Sequence, residues 1–307
     1  MLRLGWKVLT LGAVASLGLS ACGASVQSTL KGAMASVGAQ QYLQVHLTAS
    51  ATATGASSAQ ATKVEKVLSL LSYDITEQST SGTALSKSAG KINEEITISV
   101  GSQKLVDVIE IGTDIYAKVD FTSLAQIPSV GVSSAQTAGL QLLLGARWFE
   151  LPSSLLNNYL PSKAQVKSQT ARQHAVEQKV VDALTALIDK TKYTTLSGGG
   201  YQEKGTLQSV ADALAPVMAG ITSTPVHNGK VPGTYQVGIS LSGSTATGAD
   251  IAITAPNGTS GDMTVQVAAT IAHQSDSINA PSGATVITPQ LIASLSGRAS
   301  GSGLGLG

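Results

Sequence analysis

The residue types that could carry chemistry are few and scattered. One thiol, Cys22, closes the run Leu19-Ser20-Ala21-Cys22 and is the only cysteine of the 307 residues. The four imidazoles, His46, His174, His227 and His273, stand singly, without the His-x-His or His-x-x-x-His spacing of a metal site. No Gly-x-Ser-x-Gly nucleophile elbow occurs. Gly198-Gly199-Gly200 lacks the following Lys-Ser/Thr of a phosphate loop and reads as a turn. Glu94 and Glu95 lie in an alternating strand pattern, so their carboxylates point to opposite faces and do not form an acid–base pair. Asn257-Gly258-Thr259 fits a glycosylation sequon, but Asn-Gly is also the strongest short hairpin signal, and the turn is preferred. Enzymatic chemistry, metal and cofactor are therefore not expected.

The segment before Cys22 gives that cysteine its meaning. Arg3 and Lys7 form a basic start, and Val8 to Leu19 an apolar run. The run falls short of the roughly 20 residues that span a bilayer. Basic start, short apolar middle and small residues at a cleavage point make a secretory signal. With cysteine directly after Leu-Ser-Ala, the segment resembles the bacterial lipobox. That resemblance implies removal of residues 1–21, diacylglycerol on the Cys22 thiol and acylation of the new N-terminus. Two or more acyl chains anchor durably where one is marginal. Lipidation at Cys22 would also leave no free thiol for a disulfide or a metal.

Without the signal, 17 basic residues face 18 acidic ones. A near-neutral chain lacks the clustered Lys and Arg needed to displace counterions, so nucleic acid is not expected as a partner. Charged residues make up only 12%. With abundant Ser, Thr, Ala and Gly, that suits a β-rich exported protein better than a cytosolic enzyme.

The elements follow from periodicity. Residues 22–25 read as a lipidated tether and 26–37 as a helix, with Leu30, Ala33, Met34 and Val37 on one face. Leu43 to Ala49 alternates as a strand, and residues 50–62 read as a loop or frayed hairpin tip. Further alternating runs cover Val67 to Ile75, Ile92 to Val100 and Leu105 to Ile111, then Ile115 to Val119, with Gly101-Ser102 and Gly112-Thr113 as turns. Helices are expected over Ala135–Leu144, Ala175–Lys190 and Leu207–Met218. Short strands are expected within Tyr193–Lys204, and longer ones over Tyr235–Leu241, around Ile251 and Ile253, and over Met263–Ile271. Residues 297–307 form a Gly/Ser tail without core content. The order implies an α+β fold with one large antiparallel sheet.

In layout the chain resembles the actinobacterial LprG/LppX-type lipoproteins and, more distantly, LolA and LolB. The likeness rests on the Cys22 lipobox, the opening helix and strand, and Ile115-Tyr116-Ala117-Lys118-Val119-Asp120 with Leu124. It continues in Trp148-Phe149-Glu150-Leu151-Pro152 and Ile278-Asn279-Ala280-Pro281. Residues 50–62 and 80–91 look enlarged beside that family's loops. The resemblance implies a curved half-barrel sheet, helices packed across its open face, and an apolar cavity for acyl chains, with residues 26–296 as a single domain. Together with the alternation of slim aliphatics, it points to Ile96, Ile98, Ile115, Ala117, Val119, Val237, Ile239, Val265 and Val267 as cavity lining. The partners then expected are the membrane through Cys22 on the outer face of the cell membrane, an acylated lipid, and an envelope transporter. Two other readings stay open: a structural or regulatory lipoprotein that binds a protein without lipid, and an envelope hydrolase with an unrecognised site.

Overall fold

A computed structural model describes residues 24–55, 65, 68–88, 91–125, 127, 141, 144–145, 147–152, 155, 193–219, 229–256, 261–273 and 277–291. The expected helix Ala175–Lys190, most of Ala135–Leu144, the turn at Asn257-Gly258, the tail 297–307 and Cys22 itself lie outside these residues.

The described fold is α+β, built on a twelve-stranded, mostly antiparallel sheet. In chain order the strands are β1 (Tyr42–Ala53), β2 (Leu71–Ser79), β3 (Ile92–Val100), β4 (Gln103–Ile111), β5 (Asp114–Val119), β6 (Phe149–Leu151), β7 (Thr194–Thr195), β8 (Gly200–Thr206), β9 (Thr234–Ser242), β10 (Thr245–Pro256), β11 (Asp262–Ala272) and β12 (Thr285–Val286). Their order across the sheet is β12-β6-β5-β4-β3-β2-β1-β11-β10-β9-β8-β7. The described α-helices are α1 (Ala24–Gly38), α2 (Phe121–Ala125) and α3 (Leu207–Ala219), and Leu85–Lys87 forms a short 3-10 turn.

The chain divides into two compact units, one within Met1–Gln40, Leu47–Ser69 and Lys163–Ala272, the other within Gln41–His46, Leu70–Ser162 and His273–Gly307. In the first, α1 buries Leu30, Ala33 and Val37, which share one helical face, and packs on β10. Helix α1 begins at Ala24, inside the four residues expected as tether. Helix α3 starts where the Thr206 hydroxyl accepts the Ser209 amide at 3.2 Å, an N-cap bond that satisfies one orphan donor.

In the second unit, β2 to β5 form a meander. The chain turns at Gly101 and Gly112, whose φ values of 59° and 62° favour glycine. One face is crossed by the segment 277–287. Ile278 packs with Ile109 and Tyr116, and Trp148, Ile111 and Ala284 close around them. The segment is pinned at both ends: Ile278 N donates to Gln78 Oε1 at 2.8 Å, and β12 runs parallel to β6.

One expectation needs correction. Strand β1 continues through Ala53, into the stretch expected as a loop or frayed hairpin tip, because Thr54 N donates to Asp262 O at 2.8 Å and extends the pairing. Around Thr285 the chain pairs as a strand, with Thr285 N donating to Trp148 O and Ile287 N to Glu150 O.

Candidate functional site

The four expected lining residues of the first unit share one face. Register places Val237 beside Ile251 and Ile251 beside Val267. The next row is Tyr235, Ile253 and Val265, and Ile239 lies in line with Ala249 and Ala269. Gln236, Gly238, Ala252 and Gln266 occupy the opposite face. Burial falls across the strands. Val237 and Ile239 on β9 are buried, Val265 is half-buried, and Ile253 and Val267 are each 42% exposed. Val267, expected to line the cavity, is with Ile253 the exposed part of this face, while Ile271, two alternations further along β11, is buried.

The same face holds a buried polar pair. The Tyr235 hydroxyl donates to Glu203 Oε1 at 2.6 Å, with Glu203 only 2% exposed. Gly205 leaves room for the ring, since a Cβ there would run into it. Burial, and then the neighbouring Glu203 carboxylate, hold the Tyr235 phenol well above its ordinary range.

In the second unit, Ile96, Ile98, Ile115, Ala117 and Val119 also share a face and are half-buried. The rows run Tyr73, Ile98, Val106, Val119, and Ile75, Ile96, Val108, Ala117, Phe149. That face is not purely aliphatic. Its third row is Glu77, Glu94, Glu110, Ile115 and Leu151, with Glu77 3% and Glu94 8% exposed. Glu94 and Glu95 do point apart, as alternation requires, but Glu94 meets two other carboxylates across the strands. Nothing along the chain signals this. It arises from pairing between β2, β3 and β4, where like charges set opposite one another repel.

On the other face of β4 and β5, a third arrangement appears. A pocket of about 240 Å³ is bordered by Lys104, Leu105, Asp107, Lys118, Val119, Asp120 and Gln141. Of the expected lining residues Val119 alone borders it; Val119 and Leu105 are apolar and the other five side chains are polar. Asp107 Oδ1 accepts the Thr97 hydroxyl at 2.7 Å and Lys104 Nζ at 3.4 Å. Asp120 caps α2: Oδ1 accepts Thr122 N at 3.0 Å and Ser123 N at 3.1 Å, and Oδ2 accepts the Ser123 hydroxyl at 2.6 Å. The Ser123 hydroxyl bond first, then the two amides and the Lys118 charge, hold the Asp120 carboxyl below its ordinary range against a smaller opposing effect of burial.

Of the histidines, His46 pairs with Asp74 at 2.6 Å on an exposed surface, and His273 is exposed. Among the described residues no group of three or more His, Cys, Asp or Glu is placed to hold a metal ion. No described helix is long and apolar enough to cross a membrane. No known family model matches the chain, and no curated protein matches it in sequence.

Proposed function

We propose that this protein is an envelope lipoprotein, anchored through Cys22, that binds the acyl chains of a lipid on the apolar face of β9 to β11 and is not an enzyme. The observation that carries the reading is the pair Ile253 and Val267, large aliphatic side chains each 42% exposed on a face whose neighbours Val237 and Ile239 are buried. Covering such side chains contributes about 0.8 kcal/mol per CH2 group removed from water, so an acyl chain laid along them gains steadily with length. The lipobox resemblance at Cys22 sets the same face at a membrane, where acylated molecules are at hand. The half-barrel curvature and the helices across the open face belong to this reading.

Native mass spectrometry of residues 22–307 with Cys22→Ser, exported behind an ordinary secretory signal and isolated without detergent, tests it. Non-covalent adducts of lipid mass are expected, lost on organic extraction and regained on adding lipid. An adduct-free spectrum that stays so after lipid is added would leave the exposed face to a protein partner instead.

A further inference from the structure

The pocket between the start of β4 and the end of β5 offers more hydrogen-bond donors than acceptors. Its carboxylates are largely engaged: Asp107 Oδ1 by Thr97 and Lys104, and both oxygens of Asp120 by the first turn of α2. Gln141 spends its carbonyl oxygen on Phe121 N at 2.9 Å, so the amide has only its NH2 donors left to offer. Lys118 stands opposite Asp107 in the β4–β5 register; its charge acts on Asp120, but among the described residues its ammonium gives none of its N–H donors to a hydrogen bond. Lys104 reaches in from a side chain that is 64% exposed and keeps further N–H donors beyond the one given to Asp107. The two ammonium groups balance Asp107 and Asp120 in formal charge, and their spare N–H donors are what the pocket has left to offer. They suit a compact, multiply charged oxygen anion, which accepts several charge-assisted bonds at once.

We propose that this pocket binds a phosphomonoester-type oxyanion, held by Lys118 and Lys104 with the Gln141 amide as third donor. The group can arrive as free phosphate or as the head group of a phospholipid. The site does not depend on the acyl-chain reading above, because its side chains belong to the other unit.

The test titrates the full chain, in dodecyl maltoside, with inorganic phosphate and separately with dihexanoyl phosphatidic acid, following 31P line broadening. Lys118→Met and Lys104→Met are compared with Lys91→Met, an exposed lysine of the same unit. Saturable binding of at least one probe is expected. Lys118→Met should weaken it on the order of tenfold, the share of one charged hydrogen bond. Lys104→Met should weaken it as well, and Lys91→Met should leave it unchanged. Similar binding of the two probes would assign the site to the phosphate group alone; at least tenfold tighter binding of phosphatidic acid would assign it to a lipid head group. No saturable binding of either probe, or an equal loss in Lys91→Met and Lys118→Met, would overturn the proposal. Because Lys104 is largely exposed, its variant keeps the test decisive if Lys118→Met does not fold.

Discussion

The Tyr235–Glu203 pair holds a carboxylate in an almost water-free position, which is costly unless a donor meets it. Tyr235→Phe keeps the ring in the space that Gly205 leaves and deletes only the hydroxyl. Glu203 Oε1 then loses that donor, and the expected loss of stability is about 1–3 kcal/mol by urea unfolding. The effect carries a pH signature. A phenol whose folded pKa is raised above its unfolded value, about 10, contributes stability that is fully present below that value. The contribution is lost as pH rises, because the unfolded chain ionises first. The wild-type advantage over Tyr235→Phe should therefore be constant between pH 7 and 9 and shrink above about 10. An advantage that grows with alkalinity would show that the hydroxyl is not buried as described. Sequence reading passed over this pair. Glu203 and Tyr235 lie 32 residues apart in short, ordinary strand patterns, and only the β8–β9 register brings them together.

At the scale of elements, the strands were legible because polar and apolar residues alternate wherever one face is covered. Tyr235 to Leu241 and Ile92 to Val100 are of that kind, and both fall inside β9 and β3. What alternation does not carry is the partner strand. It sorted Glu94 from Glu95 correctly but said nothing of Glu77 and Glu110. The last residues of β1 were illegible for the same reason, since an Ala- and Thr-rich stretch has no apolar stripe and is held by backbone pairing. Alternation also places Val265 and Gln266 on opposite faces, and this allows a paired test. Val265→Trp puts a large ring on the half-buried face beside exposed Val267, and Gln266→Trp puts the same ring on the other. If the face is open to an acyl chain, Val265→Trp should keep its Tm within a few degrees and lose the lipid adduct, while Gln266→Trp keeps both. In a filled core the first change would overpack and cost about 1–3 kcal/mol. A Tm loss of that size in Val265→Trp alone, with the lipid adduct unchanged, would mean that the face is sealed by protein and the ligand lies elsewhere.

For the whole molecule, the sheet and the proposed anchor answer different needs. The two strands that end the strand order, β12 and β7, have only two residues each, and short edges offer little template for pairing with another chain. A protein concentrated at a membrane surface is more exposed to such pairing than a dilute one, so short edges fit a tethered molecule. The proposed tether rests on Cys22, two residues before α1 begins at Ala24. Helix α1, next in sequence, buries Leu30, Ala33 and Val37 in the first unit, whose β10 and β11 carry the exposed Ile253 and Val267. The expectation is specific in mass and in partition. The N-terminal peptide of the wild-type protein should begin at residue 22 and carry the mass of diacylglycerol, and the protein should enter the detergent phase of a Triton X-114 separation. Cys22→Ser should lack both the added mass and the cut before residue 22. Placed behind an ordinary secretory signal, residues 22–307 with the same change should move to the aqueous phase, because no acyl chain is then left to bury CH2 groups in lipid. A wild-type N-terminal peptide beginning at Met1 without added mass would remove the anchor. If that processed variant still entered the detergent phase, the apolar strand face, and not Cys22, would be what holds the protein to lipid.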